Sequence, residues 1–437
     1  MKTIQTSVLI LGAGSGGFGC AYALSARGVK TVVADRNPSF GGTPVFAGVT
    51  CFEPGVSYDG VHRLIAARLL AACGGEVQRT YPAAALFQSP QEREPGVRYD
   101  AAKPWMISAA CGDGYDSTLA RCKAYRAGPD DYRRFMTDED ALNRVMTDLI
   151  EESGGCTTLF GHAFVSCKTD GRRVVSVTVT DGAAETEIFA DTFVDASGSI
   201  VLCRSAGCEV AVGDEKRGTA AVNGATLVFR LRKGAEDAVS PPDDLPDVSD
   251  WEREVMPRVW SCFNLYPNGD VNVNMLPTLT GAELFSLGED AYRTAYARVL
   301  RYVGYLRREK GLAGFGIVKV FPMLGVREDY RLVGRKVLSY GDIRKGLEGG
   351  ADYAAIADHA LDTHGIAGSP PSELDKPYGV PLDCLRPKEY DNLFVACRGA
   401  SFDHTAASSA RLTRTVLSMG ENLGKRIAEA VKSGKDL

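Results

Sequence analysis

Near the start of the chain, Val8-Leu-Ile-Leu-Gly-Ala-Gly-Ser-Gly-Gly-Phe-Gly-Cys-Ala21 places Gly12, Gly14 and Gly17 at G-x-G-x-x-G spacing between an apolar run and a run of small residues. No other segment restricts the fold as much. Gly12 allows the tight turn that ends a strand, and Gly14 lets backbone approach a pyrophosphate. Gly17 and Ala21 let the following helix lie close to that strand. The first turn of such a helix offers unpaired N–H groups and a partial positive charge to phosphates. A second apolar run, Val32-Val-Ala-Asp35, ends about twenty residues on in an acid suited to ribose hydroxyls. Strand, loop, helix and terminal acid together predict a βαβ unit over residues 6–35 that binds a dinucleotide. The alternative is an empty Rossmann-like loop.

At 437 residues, the chain is long enough for two or three domains. A hydrophobic content of 45%, a charged content of 24% and 48 glycines indicate a loop-rich α/β protein. The net charge of −5 gives no footprint for nucleic acid or an anionic membrane surface. No apolar run approaches the roughly 18–20 residues of a membrane span, so membrane insertion is not expected. The apolar stretch after Lys2 is used up as the first strand and helix. It therefore reads as structure rather than a signal peptide, and the expected compartment is the cytoplasm. The twelve cysteines contain no C-x-x-C pair and no zinc or iron–sulfur spacing, which predicts reduced thiols and no metal site.

Periodicity divides the rest. A helix is expected over Gly60–Cys73, and a second over Asp138–Glu152 with Leu142, Val145, Met146, Leu149 and Ile150 inward. Strands Thr157–Cys167, Val174–Thr180 and Glu185–Phe189 are separated by Asp170-Gly171 and Asp181-Gly182 turns, the pattern of an antiparallel meander. Phe193–Gly198 follows as another buried strand. Strand-like segments Ala225–Arg232, Ser261–Tyr266 and Asp270–Leu276 precede a long helix, about Glu289 to Lys310. The expected organisation is a Rossmann-like domain with parallel sheet and meander in three pieces (1–78, 136–212 and 341–437). A discontinuous α+β substrate or cap domain spans 213–340. Residues 79–135 form an irregular insertion with Tyr81, Trp105, Tyr115, Tyr125 and Tyr132, suited to a lid over the substrate or to a homodimer contact.

A meander leading back into a parallel sheet is how large FAD-binding domains are built, and three segments support FAD. Gly41-Gly42-Thr43 follows the ribose acid and lets the chain run beside the pyrophosphate. Asp195-Ala-Ser-Gly198 ends a strand that reaches the same crevice. Asn392–Ala400 is strand then loop, and a helix from Thr405 onward, with Leu412, Val416, Met419, Leu423, Ile427 and Val431 inward, brings an N-terminus to the flavin.

With these segments the chain resembles the bacterial FAD-dependent oxidoreductases allied to the flavoprotein subunits of fumarate reductase and succinate dehydrogenase. The resemblance rests on Gly12–Gly17, Gly41–Gly55, Phe193–Gly198, Gly325-Val-Arg-Glu-Asp-Tyr-Arg-Leu-Val-Gly334 and Cys397–His404, and covers about two-thirds of the chain. It departs from the family at Gly198-Ser-Ile, where a Gly-Asp-Gly-like loop is usual, and at Asp35, where Glu is usual. The resemblance implies that FAD is held by Gly12, Gly14, Ser15, Gly16, Gly17, Asp35, Arg36, Gly41, Gly42, Thr43, Gly48, Val49, Ala196, Ser197, Gly198, Arg398, Gly399, Ala400, Ser408 and Ser409.

Flavin carries the redox chemistry, so the chain must position substrate and move protons. His404, at the start of the last helix, is the preferred acid/base, against a capping role. His364, in Asp362-Thr-His-Gly365, is a second candidate. Arg327 and Arg331 either orient a carboxylate or polyol, or pair with Glu328 or Asp329. Arg411 reaches the pocket or is solvated. Cys51 contacts the ring or is a buried thiol, and Glu53 and Tyr58 are nearby polar residues. His62 and His162 read as structural, and His359 as helix-surface. The expected activity is hydride transfer between a small polar organic substrate and flavin N5. Two rivals are a flavoprotein passing electrons to a partner protein or quinone, and a non-redox flavoprotein. The electron donor or acceptor is not written in the sequence.

Overall fold

A computed structural model describes residues 2–52, 56–57, 59–72, 81–82, 115–116, 119–120, 135–214, 218, 222–363, 373–434 and 437. His364, Glu53, Tyr58 and most of the 79–135 insertion lie outside the described residues.

The first part of the chain runs β1 (Lys2–Leu11), α1 (Ser15–Ser25), β2 (Thr31–Asp35), α2 (Gly60–Ala72), α3 (Glu139–Glu152), β3 (Thr157–Phe160), β4 (Ala163–Asp170), β5 (Arg173–Thr180) and β6 (Glu185–Asp195). These strands form one sheet in the order β3-β2-β1-β6-β5-β4. β1, β2 and β3 pair in parallel, and β6 runs parallel to β1 along its whole length. Val8 to Leu11 and Thr31 to Ala34 are buried without alternation, as strands covered on both faces must be. α3 forms as expected. Asp138 caps it by accepting from the Asp140 and Ala141 amides at 3.0 Å, and Leu142, Val145, Met146, Leu149 and Ile150 are buried.

The meander differs from its expected form in two places. The segment expected as one strand, Thr157–Cys167, breaks at Gly161, whose φ of 71° and bond from its amide to Asn37 O turn the chain. Thr157–Phe160 therefore joins the parallel edge, and only Ala163–Asp170 enters the meander. Conversely, Glu185–Phe189 and Phe193–Asp195 are one strand. Nothing in Ala190-Asp-Thr192 breaks it, and β1 pairs across the join.

A second sheet follows. β7 (Phe229–Lys233), β8 (Trp260–Leu265), β9 (Asp270–Leu276) and β10 (Phe315–Val320) are antiparallel in the order β10-β7-β9-β8, with α4 (Ala291–Glu309) against one face. Period-two alternation divides β9: Val271 and Val273 enter the core under α4, and Asn272 and Asn274 take the opposite face. That face meets the first sheet's loops, where Asn272 Nδ2 donates to Gly48 O at 2.9 Å. Arg230 on β7 reaches Glu139 at 2.7 Å, and Lys319 reaches the same carboxylate at 2.6 Å. Arg230 and Glu139 are both buried, so stranding either would cost about 3–5 kcal/mol.

The chain then returns to the first sheet. β11 (Leu393–Val395) pairs in parallel with the end of β6, and α5 (His404–Ala410) and α6 (Thr413–Ser433) follow. α6 crosses α1 backbone to backbone. A Cβ on Gly420 would lie 1.9 Å from Gly16 O, one on Gly424 2.7 Å from Cys20 O, and one on Gly19 2.4 Å from Leu417 O. Val416, Met419, Leu423 and Ile427 are buried as expected, but Leu412 precedes the helix and Val431 is exposed.

Gly420→Ala is therefore expected to lower unfolding stability by about 1–3 kcal/mol or more through overpacking, read by urea denaturation. Gly349→Ala, with open space around its Cα, is expected to be near neutral in the same assay.

Candidate functional site

The carboxyl ends of β1, β2 and β6 open into a cavity of about 660 Å³ that extends to the polar face of the second sheet. Its near end is built by the glycine loops. Gly12 has φ of 111°, and a Cβ there would lie 2.3 Å from Ala196 O, so the first loop is pressed against the end of β6. Gly17 meets Gly12 O in the same way and lies behind the cavity wall. Gly14 is different: nothing approaches its Cβ position closer than Gly42 Cα, at 3.8 Å. The space beside Gly14 belongs to the cavity. Gly14 is also the N-cap of α1 and makes no side-chain cap, so the first amides of the helix are available to an anion there.

Asp35 closes this end. Its carboxylate accepts from Ala13 N at 2.5 Å and from Asn37 N at 2.7 Å, which ties β2 to the glycine loop. Arg36 and His162 line the cavity beside it. From the second glycine segment, Gly42, Thr43, Gly48, Val49 and Cys51 line the cavity, and Gly41 stands behind, against Val45. Ala196, Ser197 and Gly198 form a third wall. This wall is held by Asp195, whose carboxylate accepts from Ser197 Oγ at 2.6 Å and Cys203 N at 3.0 Å. Burial pushes the Asp195 carboxyl up, although these bonds oppose it. A Cβ on Gly198 would strike the Arg398 guanidinium, which lines the cavity and pairs with Asp329 at 3.0 Å.

The last segment is only partly as expected. Gly399, Ala400, Ser408 and Ser409 do not line the cavity. Gly399 sits over Ile200 and Ala400 is fully buried. Ser408 donates to Thr405 O, and Ser409 to His359 O at 2.5 Å. The helix expected from Thr405 onward is two helices. Leu412 is extended (φ −67°, ψ 149°), and this break points the N-terminus of the long α6, at Leu412 and Thr413, into the cavity.

The far end gathers Arg327, Arg411, His359, Asp362, Asn264 and Asn274. Of the expected catalytic residues, Arg327 and Cys51 are in the cavity. His404 is not. It is buried at 3% exposure, with Nδ1 2.9 Å from Glu328. Arg331 is also buried, with its Nε 3.0 Å from Glu328, and Asn223 donates to the same carboxylate at 2.9 and 2.7 Å. These residues make one buried ionic cluster behind the cavity: Arg331 takes its ion-pair alternative with Glu328, whereas His404 does not cap its helix, which Asp403 does by accepting from Ala406 N at 2.7 Å, but pairs with Glu328 instead. His162 and His359, read as structural and helix-surface, both line the cavity. His359 follows a strand, Tyr353–Ala357, rather than lying on a helix.

Burial opposes charge on Arg327, and with Arg411 nearby its guanidinium is pushed down to about 9, although Asp362 acts the other way. Burial lowers Arg411 as well. For His404, burial also disfavours the charged ring, but the hydrogen bond and charge of Glu328 outweigh it and hold the pKa above its ordinary value.

The sequence profile of the FAD dependent oxidoreductase family matches residues 7–437. The chain belongs to this family. It is an FAD-dependent oxidoreductase, and the cavity suits the cofactor: an uncapped helix N-terminus and open space lie at Gly14, with Asp35 at the end of β2. Among curated proteins no significant match is found. Among solved structures, a geranylgeranyl bacteriochlorophyll reductase-like protein from Thermoplasma acidophilum aligns over 99% of this chain and 80% of its own, at 10% identity and a TM-score of 0.51. Aklavinone-11 hydroxylase, solved with FAD and aklavinone, aligns over 99% of this chain and 64% of its own, at 13% identity and a TM-score of 0.49. The p-nitrophenol 4-monooxygenase of Pseudomonas putida aligns over 100% of this chain and 82% of its own, at 12% identity and a TM-score of 0.47. At 10% identity the likeness to the Thermoplasma protein is one of fold. The chain spans less than two thirds of the length of aklavinone-11 hydroxylase. Among the described residues no helix is long and apolar enough to cross a membrane.

Two outcomes follow from this geometry. Gly14→Val is expected to fold with near wild-type stability yet purify without flavin, because the nearest protein atom to its Cβ position is Gly42 Cα at an ordinary 3.8 Å and the open space beside it is the cofactor's; flavin absorbance per chain, beside a melting curve, checks this. His404, with a raised folded pKa, contributes stability that is complete below its unfolded value near 6.5 and lost as pH rises through the folded value. His404→Asn should remove that pH-dependent part, seen as a flatter plot of stability against pH across that window.

Proposed function

We propose that the protein transfers a hydride between a carbon of a small polar organic substrate and the flavin, with the substrate bound under the second sheet. The observation that supports this most is the continuity of one cavity from the glycine loops to a polar far end. Asn264 and Asn274 line that end and give it a polar surface. FAD bound along the near end supplies a two-electron acceptor or donor.

The chain's own residues then have three tasks. The loops around Gly12, Gly42 and Ala196 hold the cofactor. The N-terminus of α6 offers its first amides and a partial positive charge to whichever part of the cofactor becomes more negative on reduction. His359 handles the proton. Its Nδ1 lies 2.8 Å from Ala360 O, a carbonyl that can only accept, so Nδ1 carries the hydrogen and Nε2 is the basic nitrogen of the neutral ring. Oxidation of an alcohol needs such a base for the hydroxyl proton as the hydride leaves carbon, and the reverse reaction needs the same group as an acid. His359 takes the place that the sequence assigned to His404.

The test is anaerobic reduction of the bound flavin across a panel of sugars, hydroxy acids and amines. A member of the panel is expected to bleach the flavin. With that substrate, His359→Asn is expected to slow bleaching by about 10²–10⁴-fold at unchanged flavin content. An unchanged rate would remove His359 from the proposal. Bleaching by no substrate, together with rapid reduction by an electron-carrier protein or quinol, would favour the electron-transfer role instead.

A further inference from the structure

We propose that the far end of the cavity is an anion subsite, in which Arg327 and Arg411 together hold a carboxylate of the substrate. This inference rests on the reading of the cavity as the flavin and substrate site, and it names the substrate's chemical class.

The argument is one of unbalanced charge. Arg327 is held by neutral acceptors: its Nη1 donates to Gly224 O at 3.1 Å and to Thr226 Oγ1 at 2.7 Å, and its Nη2 reaches Asn274 Oδ1 at 3.4 Å. Among the described residues no carboxylate pairs with it. Arg411 is only 11% exposed, and its nearest carboxylate, Asp362, is 3.6 Å away, too far for a hydrogen bond. Its Nη2 touches the Asp362 backbone oxygen at 3.3 Å, and its Nε has no acceptor among the described residues. Arg398, which lines the same cavity beside Gly198, shows the contrast, since Asp329 pairs with it at 3.0 Å. Among the described residues, Asp362 is thus the one carboxylate that ion-pairs with either guanidinium, and it does so with Arg411 alone.

Positive charge held out of water with too little opposite charge beside it is costly, and a cavity that carries two such guanidinium groups gains most when an anion enters. The planar fork of an arginine matches the two oxygens of a carboxylate better than a lone oxygen or a neutral hydroxyl. The cofactor's phosphates are an inadequate explanation. Arg327 directly follows Gly325–Val326, which pairs with Ala225–Thr226 beside the second sheet, and its guanidinium is turned to Gly224, Thr226 and Asn274 rather than to Gly14. Asn264 and Asn274, in the same end of the cavity, would meet the neutral polar part of such a substrate.

The experiment uses the FAD-loaded protein and small carboxylates as probes. Oxalate, malonate and acetate, titrated at ionic strength matched with chloride, are expected to perturb the flavin absorbance saturably. Acetamide, of similar shape and no charge, is expected not to. Arg327→Gln is expected to retain flavin and weaken carboxylate binding by about tenfold or more, the loss of one charged hydrogen-bonded contact. Arg327→Lys, which keeps the charge without the fork, should fall between. Flavin-loaded wild-type protein with no saturable response to any of the three carboxylates would overturn the subsite, as would R327Q binding them as wild type does. Loss of flavin in folded R327Q would assign the residue to the cofactor and overturn it too. Should R327Q fail to fold, Thr226→Val removes the acceptor that aims the guanidinium; weakened carboxylate binding supports the subsite and unchanged binding contradicts it. Failure of the wild-type protein to take up FAD is a separate outcome, which defeats the reading of the cavity itself.

Discussion

Backbone meeting backbone at the first glycine loop is the constraint on which the rest of the structure depends. Gly12 touches the end of β6, Gly17 touches Gly12, and Gly16 and Gly19 touch the end of β11 and the last helix. Three segments far apart in sequence are thereby brought to within backbone contact of one turn. A single Cβ at Gly12, Gly16 or Gly420 would open the arrangement. Because these contacts take the near side of α1, its N-terminus is left facing outward into the cavity. The same geometry that closes the core thus leaves the anion-binding end of the helix available.

The second sheet solves a different problem. Its α4 face is apolar and could be the core of any small α+β unit. Its other face must lie over a cavity, and the alternation of β9 supplies amides there. The sheet is held by the Asn272–Gly48 contact and by Arg230 and Lys319 on Glu139. Glu139 sits at the N-terminus of α3, so the charge that locks the sheet also favours the helix dipole. Behind the far end, Glu328 collects His404, Arg331 and Asn223 into a cluster that fixes the segment carrying Arg327. The far end of the cavity is therefore framed by buried ionic contacts, whereas its near end is framed by glycine.

This division explains which features the sequence made legible. The glycine loops, Asp35 and the wall at Ala196–Gly198 are local: each needs a particular residue at a particular turn, and the need is visible in the spacing. Cys397–His404 was legible only as a place. Arg398 reaches the cavity, but Gly399 to Ser409 pack inward, because Leu412 breaks the helix without a proline or glycine to announce it. His404 was misplaced since its partner, Glu328, is distant in sequence and only the fold brings them together. His359 was missed for the opposite reason: the small residues before it suit a helix as well as the strand they form. The Asn face of β9 gave no signal in the sequence, because alternation alone cannot tell water from a cavity.

The central claim is that the cofactor lies along the glycine walls with its reacting ring toward Arg327 and His359. The crystal structure of the flavin-loaded protein tests it most directly. It should show the pyrophosphate beside Gly14 and Ser15 and the ring between the N-terminus of α6 and the polar face of the second sheet. A ring directed away from that face, with Arg327 and His359 out of its reach, would contradict the account.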